Sequence, residues 1–201
     1  MHWDPRPCRR NLLWGAAASL PVLAGCLGGP QESATDDDQN DQFAPHDGDE
    51  SIDPPADQSC NGVCGMAPRE HPDWNSQIAH ADGTGAFFCS LGCHYAYLVA
   101  PDHVEANETA MIGSWVTEYE TNDMIRSESA YFVLETDPDE QAADEPMGIN
   151  PRAFADQSGA TAYVENRDAL DATDDIIRYD EIDFSIAEMY RGNRLPQDEP
   201  A

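Results

Sequence analysis

Lysine is absent from this chain of 201 residues, and its ten basic residues, all arginine, face 39 acidic ones. A formal charge of −29 excludes a nucleic-acid binder, because that binding depends on Lys and Arg neutralising phosphates. It excludes a polybasic membrane patch for the same reason, so any membrane contact has to come from a lipid. Long hydrophobic runs are missing as well. The apolar stretch near the N-terminus falls short of the ~20 residues that span a bilayer and is interrupted by Gly15 and Pro21. No phosphate-cradling loop, nucleotide fingerprint or Ser-His-Asp set with usable local context occurs, which argues against an enzyme. An Asp-x-Asp-x-Asp-Gly calcium loop is also absent, and the carboxylates are spread along the whole chain. They read as a solvated, self-repelling surface rather than a cation store.

What is present begins with an export signal. Arg9-Arg10 precedes an apolar run through Trp14, Ala16, Leu20 and Val22, which closes at Leu23-Ala24-Gly25-Cys26. The paired arginines resemble a twin-arginine signal and the closing tetrapeptide resembles a lipobox, making Cys26 the expected lipidated first residue of the mature chain. The expected location is the extracytoplasmic face of the cell membrane. Removing residues 1–25 takes away three arginines and one aspartate, moving the formal charge from −29 to −31, and discards Cys8. Such an acidic composition resembles that of a salt-loving archaeon. Residues 26–58 are mostly Gly, Pro, Ser, Asp and Gln, a composition unable to fold alone, and are expected to form a disordered tether. Residues 59–191 then make one domain of ordinary size, followed by a polar tail at 192–201.

Within that domain the pattern predicts a mixed fold. Residues 77–79 and 86–88 flank Asp82-Gly83-Thr84-Gly85 as a hairpin would. Residues 90–99 read as a helix with Ser90 as N-cap and Pro101 as its stop. Strands are expected over 111–119 and 130–135, a short helix from Asn150-Pro151 to Phe154, a strand over 161–164 and a helix over 179–190. The expectation is an α+β domain with two runs of strand, strand, helix, strand.

Chemistry concentrates in Cys60-Asn-Gly-Val-Cys64-Gly-Met66 and Cys89-Ser-Leu-Gly-Cys93, which hold four of the six cysteines. Thiolates and thioethers select soft ions, Cu(I) first and Zn(II) second. Neither cysteine pair has the two-residue spacing of a redox Cys-x-x-Cys or a common zinc knuckle. Disulfides, a four-cysteine zinc site and a thiol-disulfide oxidoreductase therefore stand beside copper binding. Met66 is the most informative residue, because a thioether cannot be lost to oxidation into a disulfide. A lone methionine is ordinarily core, but the adjoining Cys64-Gly65 favours a ligand. His71 and His94 are weaker candidate ligands, and Trp74 and Trp115 read as core or rim.

Val63-Cys64-Gly65-Met66, His71-Pro72-Asp73-Trp74 with Gln77-Ile78, Phe88-Cys89-Ser90-Leu91-Gly92-Cys93, and Pro146-Met147-Gly148 ahead of Ala153-Phe154 occur in this order. The series resembles the NosL family of lipoprotein accessory factors of nitrous oxide reductase, over about residues 60–182. The resemblance implies paired ββαβ units related to organomercurial lyase. It also implies Cu(I) binding and delivery to nitrous oxide reductase through its membrane-associated assembly machinery, with Met66 and Met147 as the metal-associated methionines. Cys60 and the Cys89/Cys93 pair depart from many members and resemble the YHS and TRASH metal-handling modules.

Overall fold

The computed structural model describes residues 43–60 and 62–197, where two antiparallel sheets and three α-helices make the architecture. The chain runs through β1 (Ala44–Pro45), β2 (Ser76–His80), β3 (Thr84–Phe88), α1 (Leu91–Val99), β4 (Met111–Thr117) and β5 (Met124–Arg126). It continues through β6 (Tyr131–Val133), β7 (Arg152–Phe154), α2 (Gln157–Glu165), β8 (Ile176–Ile177) and α3 (Phe184–Arg191). The larger sheet has the order β1-β3-β2-β4-β5 and the smaller β7-β6-β8. Each sheet thus holds a ββαβ unit in which the first strand lies between the second and the one after the helix. The duplication too faint to read in residues is plain in topology, and the α+β expectation is met.

Strand β2 is buried on both faces. Its successive side chains alternate, as a pleated strand requires. Ile78 joins the core beneath α1, while Gln77 bonds the N-terminal strap formed by residues 43–58. His46 Nε2 and the Ile52 amide reach Gln77 Oε1 at 2.8 and 2.9 Å, and Gln77 Nε2 donates to the Ile52 carbonyl at 2.9 Å. The His46 ring stacks on Phe87 and Trp115, at 5.9 and 5.1 Å between centroids. A Cβ on Gly85 would stand 2.8 Å from the His46 side chain, so the strand leaves that space to the ring.

Five expectations about extent and type are corrected here. Of the expected 26–58 tether, residues 43–58 are structured, because polar side chains anchor them where apolar composition offers little. Within the expected 192–201 tail, Leu195 is buried in the core. The short helix expected over 150–154 is strand β7, paired with β6, because the Asn150 side chain binds nearby loop carbonyls instead of capping a helix. The strand expected over 161–164 is the C-terminal half of α2. Asp156 caps this helix by accepting from the Gly159 amide at 2.9 Å, and Ala160, Tyr163 and Val164 bury at helical spacing. The last helix starts at Phe184 rather than 179, where Asp183 accepts from the Ile186 amide at 2.9 Å. No helix among the described residues is long and apolar enough to cross a membrane.

Helix α1 joins the two units, lying on β2 and β3 and packing along α3. Its Tyr95 and Ala96 share one core with Phe132 of β6 and Ile186, Ala187 and Tyr190 of α3. His94 is wholly buried in this contact, with Nε2 at 3.0 Å from the Tyr179 hydroxyl. Desolvation lowers its pKa from 6.5 to about 3.

Replacing His46 with Ala removes two ring contacts and two buried hydrogen bonds, to Gln77 Oε1 and from the Gly48 amide, and is expected to destabilise the fold by roughly 2 kcal/mol. Urea unfolding measures this, and an unchanged midpoint would show that the His46 contacts contribute nothing. His94 stays neutral in the fold while the unfolded chain protonates near pH 6.5. Its stabilisation is therefore complete above that pH and is lost as pH falls toward about 3. The metal-free protein should lose on the order of 2 kcal/mol between the unfolded value and roughly pH 4.5. His94→Gln should flatten that part of the profile; parallel profiles for parent and variant would refute the assignment.

Candidate metal centre

The first pair of thiols sits on a closed turn. The Cys64 and Gly65 amides both donate to the Cys60 carbonyl, at 3.0 and 2.7 Å, and the Cys60 amide donates to the Met66 carbonyl at 2.8 Å. Gly65 makes the turn at a φ of +75°, a left-handed conformation that glycine adopts without strain. Val63 is buried and pins the turn to the core. The second pair spans the junction from β3 to α1: Cys89 directly follows the strand and Cys93 lies in the first helical turn.

These elements bring four sulfurs together. The Sγ atoms of Cys60, Cys64, Cys89 and Cys93 all lie within 4.8 Å of one another. Cys64 and Cys89 are 3.4 Å apart, and Cys89 and Cys93 are 3.8 Å apart. All four are free thiols, so the disulfide alternative is not the state seen here. A tetrahedral site with Zn–S bonds of about 2.3 Å has edges of about 3.8 Å, so the spacing fits a metal with little movement. Cys60, Cys89 and Cys93 are buried, and Cys64 is the half-buried member.

Four clustered thiols cannot all ionise alike. Hydrogen bonds from Cys60, then Cys64 and Cys89, together with the Arg191 charge, hold Cys93 well below the ordinary thiol range. Hydrogen bonding with Cys64, Cys89 and Cys93, reinforced by burial, pushes Cys60 well above it. Cys64 is lowered, chiefly by Cys60 and Cys89. A thiolate at Cys93 also benefits from the N-terminus of α1.

Of the other expected ligands, Met66 and Met147 share the quartet's core, while the His94 ring and His71 have other partners. Met66 contributes its carbonyl to the turn, and its half-buried side chain packs on the core that contains Cys60, Cys89 and Cys93. Met147 packs on the same core from the 145–152 loop, where it holds a φ of 64°, uncommon for a residue with a side chain. His94 turns Nε2 toward Tyr179 and Ser114. His71 closes a 3-10 turn, and its carbonyl accepts from the Trp74 and Asn75 amides. Cys26 lies outside the described residues.

Arg191 is the residue that sequence reasoning missed. Its Nε donates to Cys93 Sγ at 3.4 Å, while Nη2 donates to Ser90 Oγ at 2.7 Å and to Asn150 Oδ1. An available signal was one arginine ending a helix whose apolar face must pack inward. A second buried arginine, Arg152, grips Glu145 at 2.6 and 3.0 Å and the Asn150 carbonyl at 3.1 Å. Between them they fix the loop that carries Met147.

The NosL family model matches residues 52–183, which include all four cysteines and both methionines. No curated protein matches the chain. Among solved structures, the crystal structure of the copper chaperone NosL from Shewanella denitrificans is similar at a TM-score of 0.52 and 19% identity, covering 68% of this chain and 97% of that one. At that identity the likeness speaks for the fold, and it is the fold of paired units described above. With a family model covering well over half of its length, the chain belongs to the NosL family.

Proposed function

We propose that this protein carries Cu(I) on Cys60, Cys64, Cys89 and Cys93 and delivers it for assembly of nitrous oxide reductase, held on the outer face of the cell membrane by a lipid on Cys26. The observation that carries the reading is the gathering of four free thiols within 4.8 Å, with one of them half-buried. Thiolate sulfur is the donor that Cu(I) prefers. The solved relative described as a copper chaperone supports the choice of cargo, and the residue series read from the sequence supports the destination. Its partners are the reductase and the membrane-associated machinery that builds it.

Carriage needs an ion that can leave. Several nearby thiols let Cu(I) move by stepwise ligand exchange, with no bond to the metal lost before another forms. Cys64 is the half-buried sulfur and is the point of entry and exit. Met66 and Met147 are neutral thioethers on the same core, suited to receive the ion in passing rather than to hold it. This is transport of a substrate, with no catalysed covalent change.

The closed tetrahedral spacing favours a second reading, a zinc module held by the same four cysteines. One zinc per chain that survives dialysis of the purified protein would favour the module. For the carrier, anaerobic Cu(I) titration against a competing chelator should show Cys64→Ser and Cys93→Ser weakened by at least roughly tenfold. Met66→Ala and Met147→Ala should slow transfer to an acceptor more than they weaken holding. Cu(I) affinity unchanged in both cysteine variants would remove this assignment. Deleting the gene should leave nitrous oxide reductase copper-deficient, and a fully loaded reductase would refute the proposed destination.

A further inference from the structure

Arg152 and Arg191 are both almost wholly buried, and both hold Asn150. They differ in their anion. Arg152 has the carboxylate of Glu145, which is as buried as itself. Among the described residues Arg191 has no carboxylate partner; its contacts are the Tyr190 carbonyl, Ser90 Oγ, Asn150 Oδ1 and Cys93 Sγ. A guanidinium stays charged at any ordinary pH, and burying it without an anion is costly. The acidic group that it does touch is the Cys93 thiol, 3.4 Å from its Nε.

The surroundings are shaped for that guanidinium. A Cβ on Gly92 would stand 2.6 Å from Arg191 Cζ, so the group lies flat against the bare backbone of the Cys89–Cys93 segment. Ser90 occupies the N-cap position of α1 without making a side-chain cap, and its hydroxyl accepts from Arg191 instead. The Gly92 amide donates to Asn150 Oδ1 at 3.3 Å. Ser90, Gly92 and Asn150 therefore serve one purpose, which is to seat a positive charge beside Cys93.

We propose that Arg191 is a positioning residue of the metal centre, whose buried charge balances the thiolate ligands and biases the quartet toward a monovalent over a divalent ion. This rests on the reading of the quartet as the metal site. With the same thiols ionised, the attraction between Arg191 and the thiolates is equal for either ion. The repulsion between Arg191 and the ion doubles when the ion carries two charges instead of one. The guanidinium therefore disfavours Zn(II) relative to Cu(I), and its removal relaxes that preference.

The test is the ratio of Cu(I) to Zn(II) affinity, each measured anaerobically by chelator competition on the same protein. Arg191→Gln should shift the ratio toward Zn(II) by roughly tenfold or more. Arg191→Lys, which keeps the charge, should retain most of the parent ratio. Gly92→Ala moves the guanidinium away from Cys93 without altering any charge, and should shift the ratio in the same direction as Arg191→Gln but less far. Circular dichroism identifies the variants that keep the fold. A ratio within twofold of the parent in whichever of Arg191→Gln or Gly92→Ala folds would overturn the proposal. So would a shift in Arg191→Lys as large as that in Arg191→Gln, since packing rather than charge would then be responsible. A parent protein that bound neither ion would overturn the carrier reading along with it, whereas metal binding with an unmoved ratio would remove only the role of Arg191.

Discussion

Burying four thiols within 4.8 Å of one another creates an electrostatic problem that the surrounding structure answers. Each proton lost there adds negative charge in a place where water cannot screen it. Two devices oppose this. The Cys89–Cys93 segment forms the N-terminus of α1, where the helix dipole favours negative charge, and Arg191 donates directly to Cys93. Without a countercharge the cluster would retain its protons and compete poorly for a metal, since the thiolate is the ligand. The geometry of the β3–α1 junction, the seat on Gly92 and the Asn150 loop all follow from placing one cation at one sulfur.

The same demand explains why distant segments converge. The 60–66 turn, the β3–α1 junction, the 145–152 loop and the end of α3 come from both structural units. They meet because α1 packs against α3 and lies on the larger sheet. Arg152 contributes from the other side of Asn150: it stacks over Trp74 and Tyr119, at 5.0 and 5.1 Å from the ring centroids, and pairs with Glu145. Asn150 Nδ2 then donates to Glu145 and to the Pro146 and Gly148 carbonyls. That network holds Met147 in its left-handed conformation. An off-region backbone persists only where neighbouring contacts over-determine it.

Much of this was legible in the chain. The Asp82-Gly83 turn, the α1 span and the first ββαβ run follow from local periodicity and punctuation, which report on neighbours a few residues apart. The four cysteines could be named, but their convergence could not, because Cys60 and Cys93 are brought together by sheet and helix packing rather than by spacing. Strand β7 and helix α2 were misread for a related reason. Asn150-Pro151 carries a helix-start signal that tertiary hydrogen bonds override, and the β-branched Thr161 and Val164 suggested a strand where a buried stripe and the Asp156 cap make a helix. The strap at residues 43–58 was invisible to composition because His46 and Gln77 do there what apolar residues commonly do.

Arginine scarcity connects the surface to the site. Besides the two buried arginines, Arg126, Arg167 and Arg178 lie over the rings of Trp115, Tyr163 and Tyr131, at 4.2, 3.3 and 4.1 Å from the centroids. With 39 acidic residues against ten arginines, the chain as a whole carries a strongly negative field. That field concentrates cations of any kind near the protein and is screened within about 10 Å in moderate salt. It can hasten arrival but cannot choose among ions. Choice has to be made inside, where sulfur donors reject hard cations and a single buried positive charge distinguishes one unit of ionic charge from two. An acidic surface and a positively charged pocket wall are thus complementary: the first gathers cations indiscriminately, and the second selects among those that reach the thiols.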